Sequence, residues 1–206
     1  SGKHTELVFI EKFGKYKVLA ETQDDALGEA LDKAARMLGL GYPGGAILEK
    51  MARLGNPKAY PLPLPMARQK DRHEFSYSGL KTAMYRLVEK QGDLDKQKIC
   101  DLAAVFQNRA FQHLEKVVKN TILAEKIEVI DLLVGGGVVA NVELRRRLRK
   151  MGKELGLKVW FPYSKKLIGD NAAMVGVTAH LRLQIADSRS QITEVDRRAR
   201  WSVEEI

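Results

Sequence analysis

Apolar positions fall into three rhythms along the chain. Near the start, residues 7–10 (Leu-Val-Phe-Ile) and residues 16–20 are short runs rich in strand formers. Lys12-Phe13-Gly14-Lys15 separates them, so the pair predicts a β-hairpin. A helical rhythm follows over residues 25–40, where Leu27, Leu31, Ala34 and Leu38 share one stripe and Gly39 and Gly41 end it. Gly41-Tyr42-Pro43-Gly44-Gly45 predicts a sharp loop, and a short helix over residues 46–54 stops at Gly55-Asn56-Pro57. Residues 56–74 alternate proline with small and apolar residues, which predicts an extended surface segment. Ser76 or Ser78 is then expected to cap a helix through Lys81, Thr82, Met84 and Leu87. After a polar loop at 91–96, the longest helix is predicted over 98–126, with Leu102, Phe106, Ala110, Leu114, Val117 and Thr121 on one face.

The last third alternates strand and helix. The apolar run at 129–134 predicts a strand buried on both faces. Helices are predicted at 141–155 and 170–185 around a strand at 159–161. In the last helix Ala172, Val175, Ala179 and Leu183 form the apolar stripe. Ala199-Arg200-Trp201 is a candidate edge segment. Strand–helix–strand–helix implies an α/β protein with a parallel portion of sheet, the opening hairpin being its antiparallel part. Ligands in such sheets sit at the carboxyl ends of the strands.

Charge sharpens this picture. Of 206 residues, 45% are apolar, enough for a core, and the net charge is +9. That surplus favours a polyanionic partner, nucleic acid first, against the plainer reading of a basic soluble protein. The single cysteine, Cys100, excludes a disulfide framework and a multi-cysteine zinc site, and its apolar surroundings suit a small core residue. No apolar run approaches the roughly 20 residues a membrane helix needs. Ser1-Gly2-Lys3-His4-Thr5 is not a signal peptide, so a cytoplasmic protein is expected, and the absence of an initial Met predicts a piece of a longer one.

Chemistry concentrates at strand ends. The 129–134 strand runs into Gly135, Gly136 and Gly137, whose backbone can approach a ligand closely and offer amides to phosphate oxygens. The plainer alternative is a tight turn without a ligand, since neither a P-loop nor a dinucleotide fingerprint is present. Asn141 stands where it can cap the next helix, touch a ligand, or both. Asp170, in Gly169-Asp170-Asn171, is either a helix cap or an oxygen ligand for a hard metal ion. Asp25, Glu29 and Asp32 share one helix face that Arg36 continues. Either they form a solvated acidic stripe, or Asp32 and the Gly44-Gly45 loop hold ribose hydroxyls. His4 is a ligand contact or a surface residue. Arg145, Arg146, Arg147, Arg149, Lys150 and Lys153 load one helix with positive charge, and Arg197, Arg198 and Arg200 add more, suited to phosphate backbones or to solvent.

Taken together, the segments resemble the TsaD family, also called Gcp, YgjD or OSGEP. Ser1-Gly2-Lys3-His4-Thr5 looks like the family's Ser-Gly-Gly-His-Thr. Asp24 to Lys33, with Leu38 to Gly45, is similar to its longest signature. Phe75-Ser76-Tyr77-Ser78-Gly79-Leu80-Lys81-Thr82 matches another, as do Asp101 to Gln107, the triple-glycine segment to Asn141, and Gly169 to Met174. The resemblance covers nearly the whole chain.

The resemblance implies an actin/Hsp70/sugar-kinase architecture of two ribonuclease-H-like lobes with nucleotide between them. Residues 1–206 would be one nucleotide-binding lobe, the second, with a helical insertion at about 46–100. The implied activity is transfer of a threonylcarbamoyl group from threonylcarbamoyl-AMP to N6 of the adenosine beside the tRNA anticodon. By resemblance, Ser1 and His4 are the catalytic positions, and Gly2, Lys3, Gly135, Gly136 and Gly137 face the acyl-phosphate. Asp32, Gly45, Glu49 and Asn141 hold the adenosine, and Asp170 ligates a divalent metal: iron, zinc or magnesium. Implied partners are tRNA, the missing N-terminal lobe, the synthase of threonylcarbamoyl-AMP and helper subunits. A homodimer through the exposed inter-lobe face is a further expectation. Two departures stand out: Lys3 replaces a glycine, and the family's two metal-binding histidines belong to the absent lobe. The isolated chain is therefore expected to be inactive. An ATP-dependent kinase of the same superfold and a non-catalytic scaffold are the alternatives; the family's old protease label finds no constellation here.

Overall fold

The computed structural model describes residues 3–65, 74–125 and 128–185. Ser1, Gly2, the arginines at 197, 198 and 200, and the 199–201 segment lie outside them.

Strand β1 (Glu6–Lys12) and strand β2 (Lys15–Glu21) pair antiparallel, as the two apolar runs predict. Helix α1 (Leu27–Met37) begins two residues later than its apolar rhythm, because the hydroxyl of Thr5 accepts the Leu27 N–H at 2.9 Å and fixes the first turn. Its stripe of Leu27, Ala30, Leu31, Ala34 and Ala35 is buried. The small residues let the next loop approach closely: a Cβ on Gly44 would stand 2.2 Å from the Ala35 Cβ. Helix α2 (Gly45–Ala52) follows directly.

Helix α3 (Ser78–Gln91) is not capped by Ser76 or Ser78, contrary to the sequence expectation. Both hydroxyls donate instead to Asp24 Oδ2, at 2.5 and 2.7 Å. Asp24 Oδ1 accepts the N–H of Tyr77 at 2.7 Å and of Ser78 at 3.2 Å, so a carboxylate from the other side of the core caps the helix. Burial pushes the Asp24 carboxyl up, but the serine hydroxyls and the two amides together hold it below its ordinary value.

Helix α4 (Lys96–Glu125) is buried on more than the single predicted face. Leu102, Ala103, Ala104, Val105, Phe106 and Gln107 are all buried in succession, because α1, α2 and α3 pack against it along with helix α5 (Val142–Leu155). Phe75, Tyr77, Phe106 and Phe111 are fully buried, and truncating a buried Phe to Ala removes about 3–5 kcal/mol. Cys100 is buried beside Met51, as its apolar surroundings predict.

Strand β3 (Asp131–Leu133) and strand β4 (Lys158–Trp160) pair in parallel around α5, the predicted strand–helix–strand unit. Among the described residues the hairpin and this pair are separate two-stranded sheets. The 129–134 run is therefore not buried on both faces: Leu132 and Val134 pack on the core, whereas Ile130 and Leu133 are 69% and 66% exposed. Helix α6 (Ala172–Ile185) is capped by Asn171, whose Oδ1 accepts the Met174 N–H at 3.0 Å, and not by Asp170. Its predicted apolar stripe faces solvent, with Val175 and Leu183 at 64% and 60% exposure. No described helix is long and apolar enough to cross a membrane.

Candidate functional site

Two cavities adjoin at Val138, one on each side of the glycine turn. The first, of about 280 Å³, is lined by Gly28, Leu31, Asp32, Pro43, Gly45, Ala46, Glu49, Gly137, Val138, Ala140 and Asn141. That places five sequence-singled residues (Asp32, Gly45, Glu49, Gly137 and Asn141) around one space, near the small end of ligand pockets. The second, of about 330 Å³, brings His4 to Gly135 and Gly136, above an apolar floor that includes Leu7, Leu132 and Leu148.

The first cleft lies where two helix N-termini converge. Asp32 Oδ1 accepts the N–H groups of Gly44 and Gly45 at 2.9 and 2.7 Å, so it caps α2 from the side. Glu49 Oε1 accepts the Val142 N–H at 3.0 Å at the start of α5, and pairs with Arg53 at 2.5 Å. Asn141 caps α5 as predicted: its Oδ1 accepts the Leu144 N–H at 3.0 Å. Its Nδ2 donates to Gln107 Oε1 at 2.8 Å, which fixes the orientation of the amide. The walls between these groups are small and apolar. A flat apolar ring fits such walls, and the carboxylates favour hydroxyl and amino donors over phosphate.

The glycine turn has the opposite character. Gly136 has φ +90°, a conformation that favours glycine. Nothing lies within 4 Å of where a Cβ would be on Gly135 or Gly137, so both face open space. The N–H groups of Gly135, Gly136 and Gly137 have no acceptor among the described residues. Three successive unpaired amides at a strand end form a concavity suited to anionic oxygens. The carboxylates line the first cavity, and the anion-seeking amides run from the second, at Gly135 and Gly136, into the first at Gly137.

The predicted acidic face is not a solvated stripe, and Asp25 stands before α1 and not on it. Asp25 is buried and pairs with Lys33 at 2.5 Å and Lys81 at 2.7 Å, and Glu29 also reaches Lys33 at 2.7 Å. Burial pushes the Asp25 carboxyl up, but the two lysines outweigh it and hold it low. Only Asp32 of the three faces the cleft.

A profile for the family described as "TsaD: tRNA N6-adenosine threonylcarbamoyltransferase" matches residues 1–177. The chain belongs to the TsaD family. A protein named tRNA N6-adenosine threonylcarbamoyltransferase from Vesicomyosocius okutanii is 38% identical over 206 residues, all of this chain and 58% of the relative. One of the same name from Rippkaea orientalis is 41% identical, over 95% of this chain and 60% of the relative. Another from Microcystis aeruginosa is 45% identical over 87% and 52%. The chain therefore spans less than two thirds of the length of these relatives.

Within this TsaD chain, Lys3 and His4 are exposed and Asp170 is exposed in the loop before α6. Asp170 lines neither cavity. No group of three His, Cys, Asp or Glu that could hold a metal occurs among the described residues. One exposed carboxylate does not make a metal site, so the residues present do not fit the implied metal by themselves. Sequence reasoning missed Gln107 and Thr5 as positioning residues. The signal for Gln107 was a lone amide directly after the apolar 102–106 run; Thr5 gave none, because its partner lies 22 positions away.

Proposed function

We propose that this chain supplies the nucleoside-holding wall of an enzyme that transfers a threonylcarbamoyl group from threonylcarbamoyl-AMP to N6 of the adenosine beside a tRNA anticodon. The observation that carries the reading is the convergence of Asp32, Gly45, Glu49, Gly137 and Asn141 on one cleft beside three unpaired glycine amides. The adenosine lies among the small walls, with Asp32 and Glu49 accepting from its hydroxyls. The phosphate lies toward Gly135–Gly137, where amides stabilise negative charge as AMP leaves. His4 borders the same turn and orients the acyl end. The mixed anhydride reacts at its carbonyl: the adenosine amine forms the new C–N bond, the carbonyl–phosphate bond breaks, and a proton leaves the amine.

The relatives' remaining length supplies the other wall, the metal ligands beyond Asp170, and surfaces for the synthase and helper subunits. This chain by itself is inactive, and a cytoplasmic setting follows from a tRNA substrate. The test joins this chain to the remaining portion of the Rippkaea orientalis relative and measures threonylcarbamoyladenosine in tRNA. The modification is expected in the joined protein and lost on Asp32→Ala or Gly137→Val. Phosphoryl transfer from ATP without tRNA modification would instead assign the cleft to a kinase.

A further inference from the structure

The outward side of α5 carries Arg145, Arg149 and Lys153 one helical turn apart, about 6 Å per step. The guanidinium carbons of Arg145 and Arg149 stand 5.2 and 5.0 Å from the centre of the Phe161 ring, just past β4. One aromatic ring thus contacts two like charges. The neighbouring carboxylates are already engaged: Glu143 with Arg146 and Arg147, and Glu154 with Lys119 at 2.5 Å and Lys150 at 4.0 Å. Asp131 accepts the Trp160 indole N–H at 2.7 Å. Among the described residues, no carboxylate comes within ion-pair distance of Arg145, Arg149 or Lys153. Like charges at this spacing repel, a penalty that an external anion removes. Phe161 also restrains the two flexible side chains in advance, which lowers the ordering cost of binding.

Two features select the kind of anion. Tyr163, two residues past Phe161, is 94% exposed and offers a ring face for stacking. Arg145 Nε donates to the Val139 carbonyl at 2.7 Å, in the turn whose neighbours Val138 and Ala140 line the cleft. The cation row therefore begins at the mouth of the cleft and runs away from it. A row of cations, with an exposed aromatic two residues beyond the ring that holds Arg145 and Arg149, suits a strand with phosphates and unpaired bases.

We infer that Arg145, Arg149, Lys153 and Tyr163 form a docking track for an unpaired RNA loop, which leads one base toward the cleft. The choice of RNA over DNA rests on the function proposed above. The chain's net charge of +9 adds long-range attraction, but the specificity of the track comes from these four side chains.

The experiment is fluorescence anisotropy of this 206-residue chain with an unmodified tRNA transcript, over a salt series. Arg149→Glu combined with Lys153→Glu is expected to weaken tRNA binding at least tenfold and to flatten the salt dependence by about two phosphate contacts. Tyr163→Ala is expected to weaken it about fivefold or more at unchanged salt slope. Circular dichroism checks that each variant is folded. Lys90→Glu combined with Lys96→Glu, on exposed lysines at the end of α3 and the start of α4, makes the same charge change and is expected to weaken binding less than threefold. Equal losses for both double reversals, or no loss for either, overturn the track. Equal affinity for a DNA duplex, lost in the same variants, overturns the assignment to RNA loops. Calorimetry with AMP keeps the two readings apart: a cleft that binds AMP beside an unresponsive track refutes only the track, and a responsive track beside an inert cleft refutes only the proposed function.

Discussion

The amide of Asn141 bonds in two directions at once, capping α5 through Oδ1 and donating to the buried Gln107 through Nδ2. Gln107 is thus what holds a cleft residue in one orientation. Gln107→Leu leaves the Asn141 N–H group buried without an acceptor and is expected to lower stability by about 1–3 kcal/mol in urea unfolding. Gln107→Glu keeps an acceptor and is expected to lose less. Equal stability of the Leu variant and the parent would show that the amide finds another partner.

His113 predicts a pH dependence. Its Nε2 accepts the Ser76 N–H at 3.1 Å, and the ring is buried against Phe75 and Tyr77. Burial, with a smaller push from Lys116, lowers its pKa to about 4. In the unfolded chain the ordinary value is about 6.5. Between these values the unfolded state binds the proton and the folded state does not, so stability falls as pH drops from about 6.5 toward 4. The loss across that window is on the order of 3 kcal/mol. Urea midpoints taken from pH 7 to pH 4.5 measure it. His113→Gln is expected to flatten this part of the profile; an unchanged slope assigns it to other groups.

Asp24 explains why the α3 cap was not legible. Its partners Ser76 and Ser78 lie 52 and 54 positions away, and a local capping rule sees only the serines. The helices themselves were legible because their apolar spacing is local. Burial of β3 and α6 was not, since a stripe of apolar residues says what a segment wants and not whether a neighbour is present to cover it. In the site, Asp32, Gly45 and Asn141, grouped by the resemblance of their motifs, line one cleft. The second task of Asp32, bonding two loop amides, depends on a loop path that spacing does not encode. Asp24→Ala removes one acceptor from four donors and is expected to lower stability by about 3 kcal/mol, with α3 amides exchanging faster than those of α4. Uniform exchange across both helices would show that the carboxylate does not act locally on α3.

Close approach of backbone to helix makes Gly44 a sensitive position. Gly44→Ala sets its methyl 2.2 Å from the Ala35 Cβ and forces α2 off α1, which widens the cleft at Asp32. A loss of about 1–3 kcal/mol is expected, together with weaker AMP binding. Gly45→Ala meets Asp32 Oδ1 at 3.3 Å and the Leu31 Cβ at 3.9 Å, and is expected to cost less stability while still obstructing the cleft. Calorimetry and urea unfolding on the two variants separate these effects. If Gly45→Ala leaves AMP affinity intact, the nucleoside does not rest against that turn.

Helix α6 exposes Met174, Val175, Val177, Leu181 and Leu183, each at 37% or more. A helix apolar on this much of its surface is normally covered. With nothing among the described residues to cover it, two copies in solution are expected to cover one another. Light scattering should show mass rising with concentration. Val175→Lys combined with Leu183→Lys, eight positions apart on one side of the helix, should return the protein to a monomer without loss of helix content. A strict monomer at high concentration would mean that α6 stays solvated. Association that survives both lysines would move the contact to another exposed apolar surface, such as the one at Ile130 and Leu133 of the β3 segment.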